Sequence, residues 1–476
     1  MKILLINPPI ENIIESDMPK ELESGMDFLP PLGLMYIATY VKEKTDFDIK
    51  LLDCEVEKIN YTNIQERIRA EKPDVVGITT MTFTLIDVIK TARLIKQVDK
   101  NIKIVLGGPH VNIYPEETMS NPEIDFLVLG EGEQPFIDLL KNINDLNALK
   151  NTRGLAFRDN DKKIINTGAR DLIMDLDNLP IPARELTQYK KYYSIIAKNN
   201  PTTTMFTSRG CPYKCLFCDR PHLGKIFRAR SAENVVQELE KINKMGIKEV
   251  FIYDDTFTVD RQRVVDICNL ILKKKIKLNW DIRARVNTVD EELLELMKSA
   301  GCTRIHYGVE AGTKKILTVL RKGITIEQVK NAFKWTKKAG IETAGYFMVG
   351  SPTENIEDIK QTIKLAKKLF PDYVHFSVTT PFPATELYFK GLKEGVIKKD
   401  YWKEFSKNPQ PDFEPPAWEE NFTRDELFKI LIKAYKQYYL NFKYILRRLK
   451  ELRSWDAIKN NFKAGFKLLS LTLKNI

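Results

Sequence analysis

The chain has 476 residues, 43% of them hydrophobic and 29% charged, with a formal net charge of +11. That balance excludes a disordered chain and gives length for roughly two to four domains. No apolar run of about 18 residues occurs, so a membrane-spanning helix is not expected. MKILLINPPI turns polar too early for a secretory signal. The expectation is a cytoplasmic chain, with peripheral membrane contact left open. The basic balance suits nucleic acid, anionic lipid or acidic substrates without choosing among them.

Residues 1–145 alternate strand and helix signals. Short apolar runs at Lys2–Ile6, Phe47–Leu52, Asp74–Ile78, Lys103–Leu106 and Phe126–Leu129 predict strands. Leu32–Lys44, Asn63–Glu71, Leu85–Val98 and Gln134–Lys141 carry helical patterning between them. This rhythm predicts an α/β, doubly wound (Rossmann-like) parallel sheet, with ligands beyond the strand carboxyl ends. Those ends read Asn7-Pro8-Pro9, then Thr79-Thr80-Met81-Thr82, Gly107-Gly108-Pro109-His110 and Gly130-Glu131-Gly132-Glu133. Glycine lets backbone approach a ligand, and threonine hydroxyls can meet a polar edge. No G-x-G-x-x-G or Walker loop is present, which disfavours a dinucleotide or nucleoside triphosphate.

Pro31-Leu32-Gly33-Leu34, Gly107-Gly108-Pro109-His110 and Gly130-Glu131-Gly132-Glu133, in that order, resemble the cobalamin-binding domain that precedes many radical S-adenosylmethionine enzymes. The resemblance implies that Thr79, Thr80, Gly107, Gly108, Pro109, His110, Gly130, Glu131, Gly132 and Glu133 hold cobalamin. The D-x-H-x-x-G motif that ligates cobalt from below is missing. None of His110, His222, His306 and His375 has glycine three positions later. The implied cobalamin lacks that histidine ligand.

Residues 146–200 read as a connector. Gly154–Arg158 and Lys163–Asn166 flank Asn160-Asp161 as a hairpin, and Leu179-Pro180-Ile181-Pro182 is a linker signal.

Residues 201–395 open with a strand at Thr203–Thr207 and then Cys211, Cys215 and Cys218 in a C-x-x-x-C-x-x-C loop. The other cysteines, Cys54, Cys268 and Cys302, stand in apolar stretches and read as buried thiols. Three clustered thiolates can hold three irons of a cubane and leave the fourth open. Electron-transfer cubanes use four cysteines. A zinc site that adds His222 is the rival. Further strands are predicted at Glu249–Tyr253, Asn279–Ala284, Arg304–Tyr307, Thr343–Val349 and Tyr373–Val378. Helices are predicted at Gln262–Lys274, Glu291–Ala300, Ile326–Ala339 and Ile356–Leu369. This βα rhythm supports a partial (β/α)6 barrel with its chemistry at the strand carboxyl ends.

The cysteine motif with Phe217 before its third thiol, Gly308-Val309-Glu310-Ala311-Gly312 and Gly345–Glu354 resemble the radical S-adenosylmethionine fold. The resemblance implies a [4Fe–4S] cluster on the three cysteines. It implies S-adenosylmethionine against Phe217, Asp254, Asp255, Arg285, Glu310 and Met348. Asp254-Asp255 departs from the family's Gly-Gly-Glu, and Arg283 shares the carboxylate expectation with Arg285.

Residues 396–476 pass from Tyr401-Trp402 and a proline-rich stretch into helical patterning from Arg424. Arg447, Arg448, Lys450 and Arg453, then Phe462, Lys463, Phe466, Lys467, Leu468 and Leu469, form a basic amphipathic tail. It suits either a membrane surface or a helical cap on the barrel. No aromatic–basic motif for nucleic acid appears, and no nucleic-acid partner is expected.

Together the domains resemble the cobalamin-dependent radical S-adenosylmethionine family, which includes class B methylases and anaerobic magnesium-protoporphyrin monomethyl ester cyclases. The resemblance implies radical C-methylation at an unactivated carbon of a hydrophobic small-molecule or lipid substrate. It also implies electrons from a ferredoxin or flavodoxin. A radical oxidoreductase or cyclase, and a non-catalytic iron–sulfur/corrinoid electron-transfer or sensor protein, are the alternatives.

Overall fold

The computed structural model describes residues 1–14, 28–219 and 225–451. His222 and the basic tail from Arg453 onward lie outside the described residues.

The first sheet has seven strands in the order β2-β1-β3-β4-β5-β6-β7. They are β1 (Lys2–Asn7), β2 (Asp48–Asp53), β3 (Val75–Thr79), β4 (Lys103–Gly107), β5 (Phe126–Val128), β6 (Leu155–Arg158) and β7 (Ile164–Asn166). The first five pair in parallel. Strand β1 shows why: Ile3, Leu4, Leu5 and Ile6 are all buried, so both faces of the strand are covered. Separate apolar clusters lie on the two faces of the sheet. The order reverses between β1 and β3, which creates a crevice at their carboxyl ends. The hairpin expected at 154–166 forms and pairs antiparallel with β5, so it extends the first sheet.

The second sheet has six parallel strands in the order β15-β14-β13-β12-β11-β8. These are β8 (Thr202–Met205), β11 (Glu249–Ile252), β12 (Asn279–Ala284), β13 (Cys302–Glu310), β14 (Glu342–Val349) and β15 (Tyr373–Val378). A two-stranded ribbon, β9 (Ser208–Arg209) with β10 (Arg228–Ala229), follows β8. Sequential strand order with a helix after most strands is the open (β/α)6 barrel expected. Helices wrap its outside, and their starts are capped. Ser231 caps Ala232–Lys244, Asp260 caps Arg261–Lys273, and Asp290 caps Glu291–Ser299. Thr325 with Gln328, and Asn355 with Asp358, form capping boxes for the next two long helices.

The chain after β15 divides its contacts. Trp402 and Phe405 enter the core of the first domain, and Trp402 meets Phe83 edge-on. Helix Arg424–Tyr439 instead packs on β15, where Tyr435 and Tyr439 donate to the Phe376 and Val374 carbonyls. The connector is anchored through Arg184, which donates at 2.6 Å to Glu238 Oε1 on the barrel helix Ala232–Lys244. Tyr192 ties it to the first sheet by donating to Asp53 Oδ2 at 2.8 Å. No helix among the described residues is long and apolar enough to cross a membrane.

Candidate active site

A cavity of about 280 Å³ lies between the two sheets. Its first wall comes from the carboxyl ends of β1, β3, β4 and β5 and from the helix Leu32–Lys44. Its second wall is Phe206, Ser208, Arg209, Gly210 and Asp255 of the barrel. Of the residues expected at cobalamin, Thr79, Gly107, Gly108, Pro109, Gly130, Glu131, Gly132 and Glu133 line it. Thr80 and His110 do not. Thr80 is fully buried and its amide donates to the Gly107 carbonyl at 2.7 Å. His110 sits with Nδ1 at 3.1 Å from Thr82 Oγ1. Burial holds its pKa down to about 3, so the ring is neutral.

Glycine is required at Gly108, where φ is +108° and an added Cβ would meet the Thr80 carbonyl oxygen at 2.8 Å. Sequence reasoning missed Asn112, whose amide joins the two glycine turns. Its Nδ2 donates to the Gly108 carbonyl at 2.9 Å, and the Gly130 amide donates to its Oδ1 at 2.6 Å. The i, i+4 spacing from Gly108 on a short helix was the available signal.

Cys211, Cys215 and Cys218 lie on an irregular, half-buried loop between β9 and β10. Two backbone bonds pin its middle: Leu216 donates to the Leu320 carbonyl, and Leu387 donates to Leu216, both at 3.0 Å. Leu216 packs with Leu387 and Trp418. Arg285 Nη1 lies 3.6 Å from Cys215 Sγ, and its guanidinium is 3.7 Å over the Tyr213 ring. A fixed cation beside sulfur favours the negative charge that cluster thiolates carry. The remaining thiols are unsuited as ligands. Burial pushes Cys268 up to about 12, and it raises Cys54 and Cys302 as well. No three His, Cys, Asp or Glu among the described residues converge on a single-ion site. Thiols that each serve a separate iron of one cubane surround the cluster and need not meet at one ion. The donor set therefore fits the cluster.

The residues expected at S-adenosylmethionine separate into two groups. Phe217, Asp255, Arg285, Glu310 and Met348 stand near the loop or on the inward-facing strand ends. Lys322 Nζ is 5.8 Å over the Phe217 ring and donates to Glu310 Oε1 at 2.7 Å. Gly308 leaves room for this pair, since a Cβ there would sit 2.4 Å from Glu310 Oε1. Glu310 has φ of +70°, an uncommon backbone for a residue with a side chain.

Asp254 has a different task from the one expected. It is fully buried, and its carboxylate accepts from Thr207 N and Oγ1 at 2.6 and 2.5 Å and from Ser208 N and Oγ at 3.1 and 2.6 Å. Those four bonds occupy both oxygens and fix the strand-to-ribbon turn ahead of Cys211. Lys322 and Arg209 had no place in the sequence reading. Arg209 two positions before Cys211 was visible, but its partners 76 and 78 residues away were not.

Two families match this chain: the B12 binding domain over residues 25–140 and the radical SAM superfamily over residues 205–366. An uncharacterized methyltransferase, PH0819 of Pyrococcus horikoshii, is 36% identical, with 95% of each chain covered. An anaerobic magnesium-protoporphyrin IX monomethyl ester cyclase of Rubrivivax gelatinosus is 30% identical over 92% of this chain and 79% of the cyclase. The fold is shared with the cobalamin-dependent S-adenosylmethionine radical enzyme OxsB, solved with aqua-cobalamin and S-adenosylmethionine bound. That likeness has a TM-score of 0.75 at 18% identity and covers 99% of this chain and 72% of OxsB.

Proposed function

The chain belongs to the cobalamin-dependent radical S-adenosylmethionine family, and we propose that it is a radical C-methyltransferase whose two cofactor sites face one cavity. The observation that carries this is the cavity's double origin. Glycine turns of the first sheet form one wall, and the ribbon that leads into the cysteine loop forms the other.

When bound, the cluster supplies the electron that cleaves S-adenosylmethionine, and cobalamin supplies a transferable methyl group. Cys211, Cys215 and Cys218 would hold the cluster. The Arg285 guanidinium would meet negative charge beside Cys215. Phe217 and Met348 would offer apolar contact to the adenosyl group, with Asp255 accepting from its ammonium and the Glu310–Lys322 pair reaching its polar edge. Backbone at Gly107, Gly108, Gly130 and Gly132 would let a flat macrocycle approach closely, with Thr79 and Pro109 beside it. The cavity lining is mostly apolar, which would limit water near reactive species once both cofactors fill it.

The inward face of the barrel would take the substrate. Tyr346, Met348, Tyr373 and His375 are half-buried there, and His306 Nδ1 is 2.8 Å from the Tyr346 hydroxyl. Exposed Arg283, 4.5 Å over the Tyr253 ring, stands on the same face. An apolar body with a polar end fits this surface. An external one-electron donor, a ferredoxin or flavodoxin, completes the scheme. Helix Phe442–Glu451 exposes Phe442, Ile445 and Leu446 beside Lys443. This supports peripheral contact with an anionic membrane. Unchanged vesicle association after Phe442→Ser with Ile445→Ser would reject that contact.

The test of the main reading is anaerobic reconstitution with iron, sulfide, cobalamin and S-adenosylmethionine, then product analysis with cell extract. Methyl transfer gives both 5′-deoxyadenosine and S-adenosylhomocysteine. 5′-Deoxyadenosine alone rejects it and favours the oxidoreductase or cyclase reading, which the 30% identity to the Rubrivivax gelatinosus cyclase supports.

A further inference from the structure

The turn Gly130-Glu131-Gly132-Glu133 has two roles. Its glycines line the cavity, and Gly130 needs its φ of +74° to make the bend. Its glutamates line the same cavity, and their carboxylates bind Arg209 of its second wall. Glu131 Oε1 accepts from Arg209 Nη1 at 2.7 Å, and Glu133 Oε1 accepts from Arg209 Nη2 at 2.5 Å. Glu131 Oε2 also accepts from Arg228 Nη1 at 2.8 Å and from the Ile173 amide at 2.6 Å. The two carboxylate side chains are 3% and 4% exposed, and Arg209 is 12% exposed, so water competes little for these bonds.

Arg209 and Arg228 are cross-strand partners in the β9–β10 ribbon. That ribbon is the base from which the chain runs out to Cys211, Cys215 and Cys218 and returns. A planar guanidinium held at two corners by two carboxylates has a fixed position and a fixed orientation. The turn that shapes the cavity and the ribbon that starts the cysteine loop are thus joined by a buried charge network.

We infer that Arg209, gripped by Glu131 and Glu133, is a positioning residue that sets the separation and mutual orientation of the cluster loop and the cobalamin cavity. The inference takes the identity of the two cofactors from the proposed function. It is a statement about geometry, so its test needs no substrate and no turnover.

The test uses full-length protein loaded with both cofactors, reduced so that the cluster and cob(II)alamin are each paramagnetic. Pulsed EPR then reads the spin–spin coupling between them, which depends steeply on their separation. Glu133→Gln weakens one of the two grips. Arg209→Lys keeps the charge but replaces the fork by a point contact. Read on the fraction of each variant loaded with both cofactors, both are expected to show a broadened coupling distribution and a median coupling changed about twofold. Dipolar coupling falls with the cube of the separation, so a twofold change is a shift of roughly a quarter in distance, and a misplacement of about 1 Å already impairs reacting geometry by about a hundredfold. Glu342→Gln is the control, because it breaks an ion pair with Arg304 at the opposite end of the barrel. It should leave the coupling unchanged.

An unchanged coupling in fully loaded Glu133→Gln and Arg209→Lys overturns the inference, as does an equal change in Glu342→Gln. Loss of either cofactor from Arg209→Lys also overturns it, by making the residue a binding or folding element. A wild-type protein that couples its two cofactors but forms no S-adenosylhomocysteine rejects methyl transfer and leaves the positioning result standing.

Discussion

Asp254 separates two roles that a sequence cannot. If its carboxylate binds S-adenosylmethionine, Asp254→Asn should abolish binding and leave the fold intact. The geometry predicts the reverse order of damage. Asp254→Ala removes the acceptor for two buried backbone amides, Thr207 N and Ser208 N, while the two hydroxyls can rotate. An orphaned buried donor costs roughly 1–3 kcal/mol, so the expected loss for the two is about 2–6 kcal/mol. For a domain of this size that lowers Tm by on the order of 10 °C. Asp254→Asn can still accept both amides through its one carbonyl oxygen and should lose only about 1–2 kcal/mol. The assay is thermal unfolding of the metal-free protein, followed by iron content and S-adenosylmethionine binding after reconstitution. Asp254→Ala should unfold early and reconstitute poorly, because Thr207–Ser208 leads directly into the cysteine loop. Asp254→Asn should bind S-adenosylmethionine within about threefold of wild type, less than 1 kcal/mol. An Asp254→Asn protein with normal Tm and iron that no longer binds S-adenosylmethionine would refute this reasoning.

Replacing Cys211, Cys215 or Cys218 by alanine should remove the cluster absorbance and abolish 5′-deoxyadenosine formation, whereas Cys268→Ala should keep full iron. Gly108→Ala should weaken cobalamin binding by about tenfold or more, because the left-handed backbone and the Thr80 contact cost on the order of 1–3 kcal/mol; cobalamin titration by absorbance checks it, and iron content should not change. Glu354 is buried, with its pKa pushed up to about 7 by burial against weaker support from the Ser351 and Gly350 amides. The folded state therefore holds a proton that the unfolded state releases, and the Glu354 contribution to stability is full below about pH 4.5 and is lost, by up to about 3 kcal/mol, as pH rises through 7. Urea unfolding at pH 5 and pH 8 should show that drop in wild type and a smaller one in Glu354→Gln.

Much of the architecture was legible because periodicity is local. Lys2–Ile6 reads as a buried strand from four successive apolar residues, and Lys2–Asn7 is the strand found. Helix Ala232–Lys244 went unread, although Ser231 caps it and Val235, Val236, Leu239 and Ile242 form its buried stripe. The expected hairpin formed, but only the tertiary structure showed it pairing with β5, since the partner strand lies a helix away in sequence.

At the site, the cysteine spacing and the glycine turns were readable, because ligand spacing and left-handed backbone leave a mark on a few adjacent residues. The partners of charged groups were not. Asp254 looked like a ligand until Thr207 and Ser208 were seen to use both its oxygens. Glu131 and Glu133 do line the cavity, but Arg209 and Arg228 hold their carboxylates, which the sequence did not show. Sequence by itself determined which residues could do chemistry, through local spacing and side-chain type. Tertiary structure decided which carboxylates were free to do it, because a buried charge must be paired, and its partner can come from anywhere along the chain.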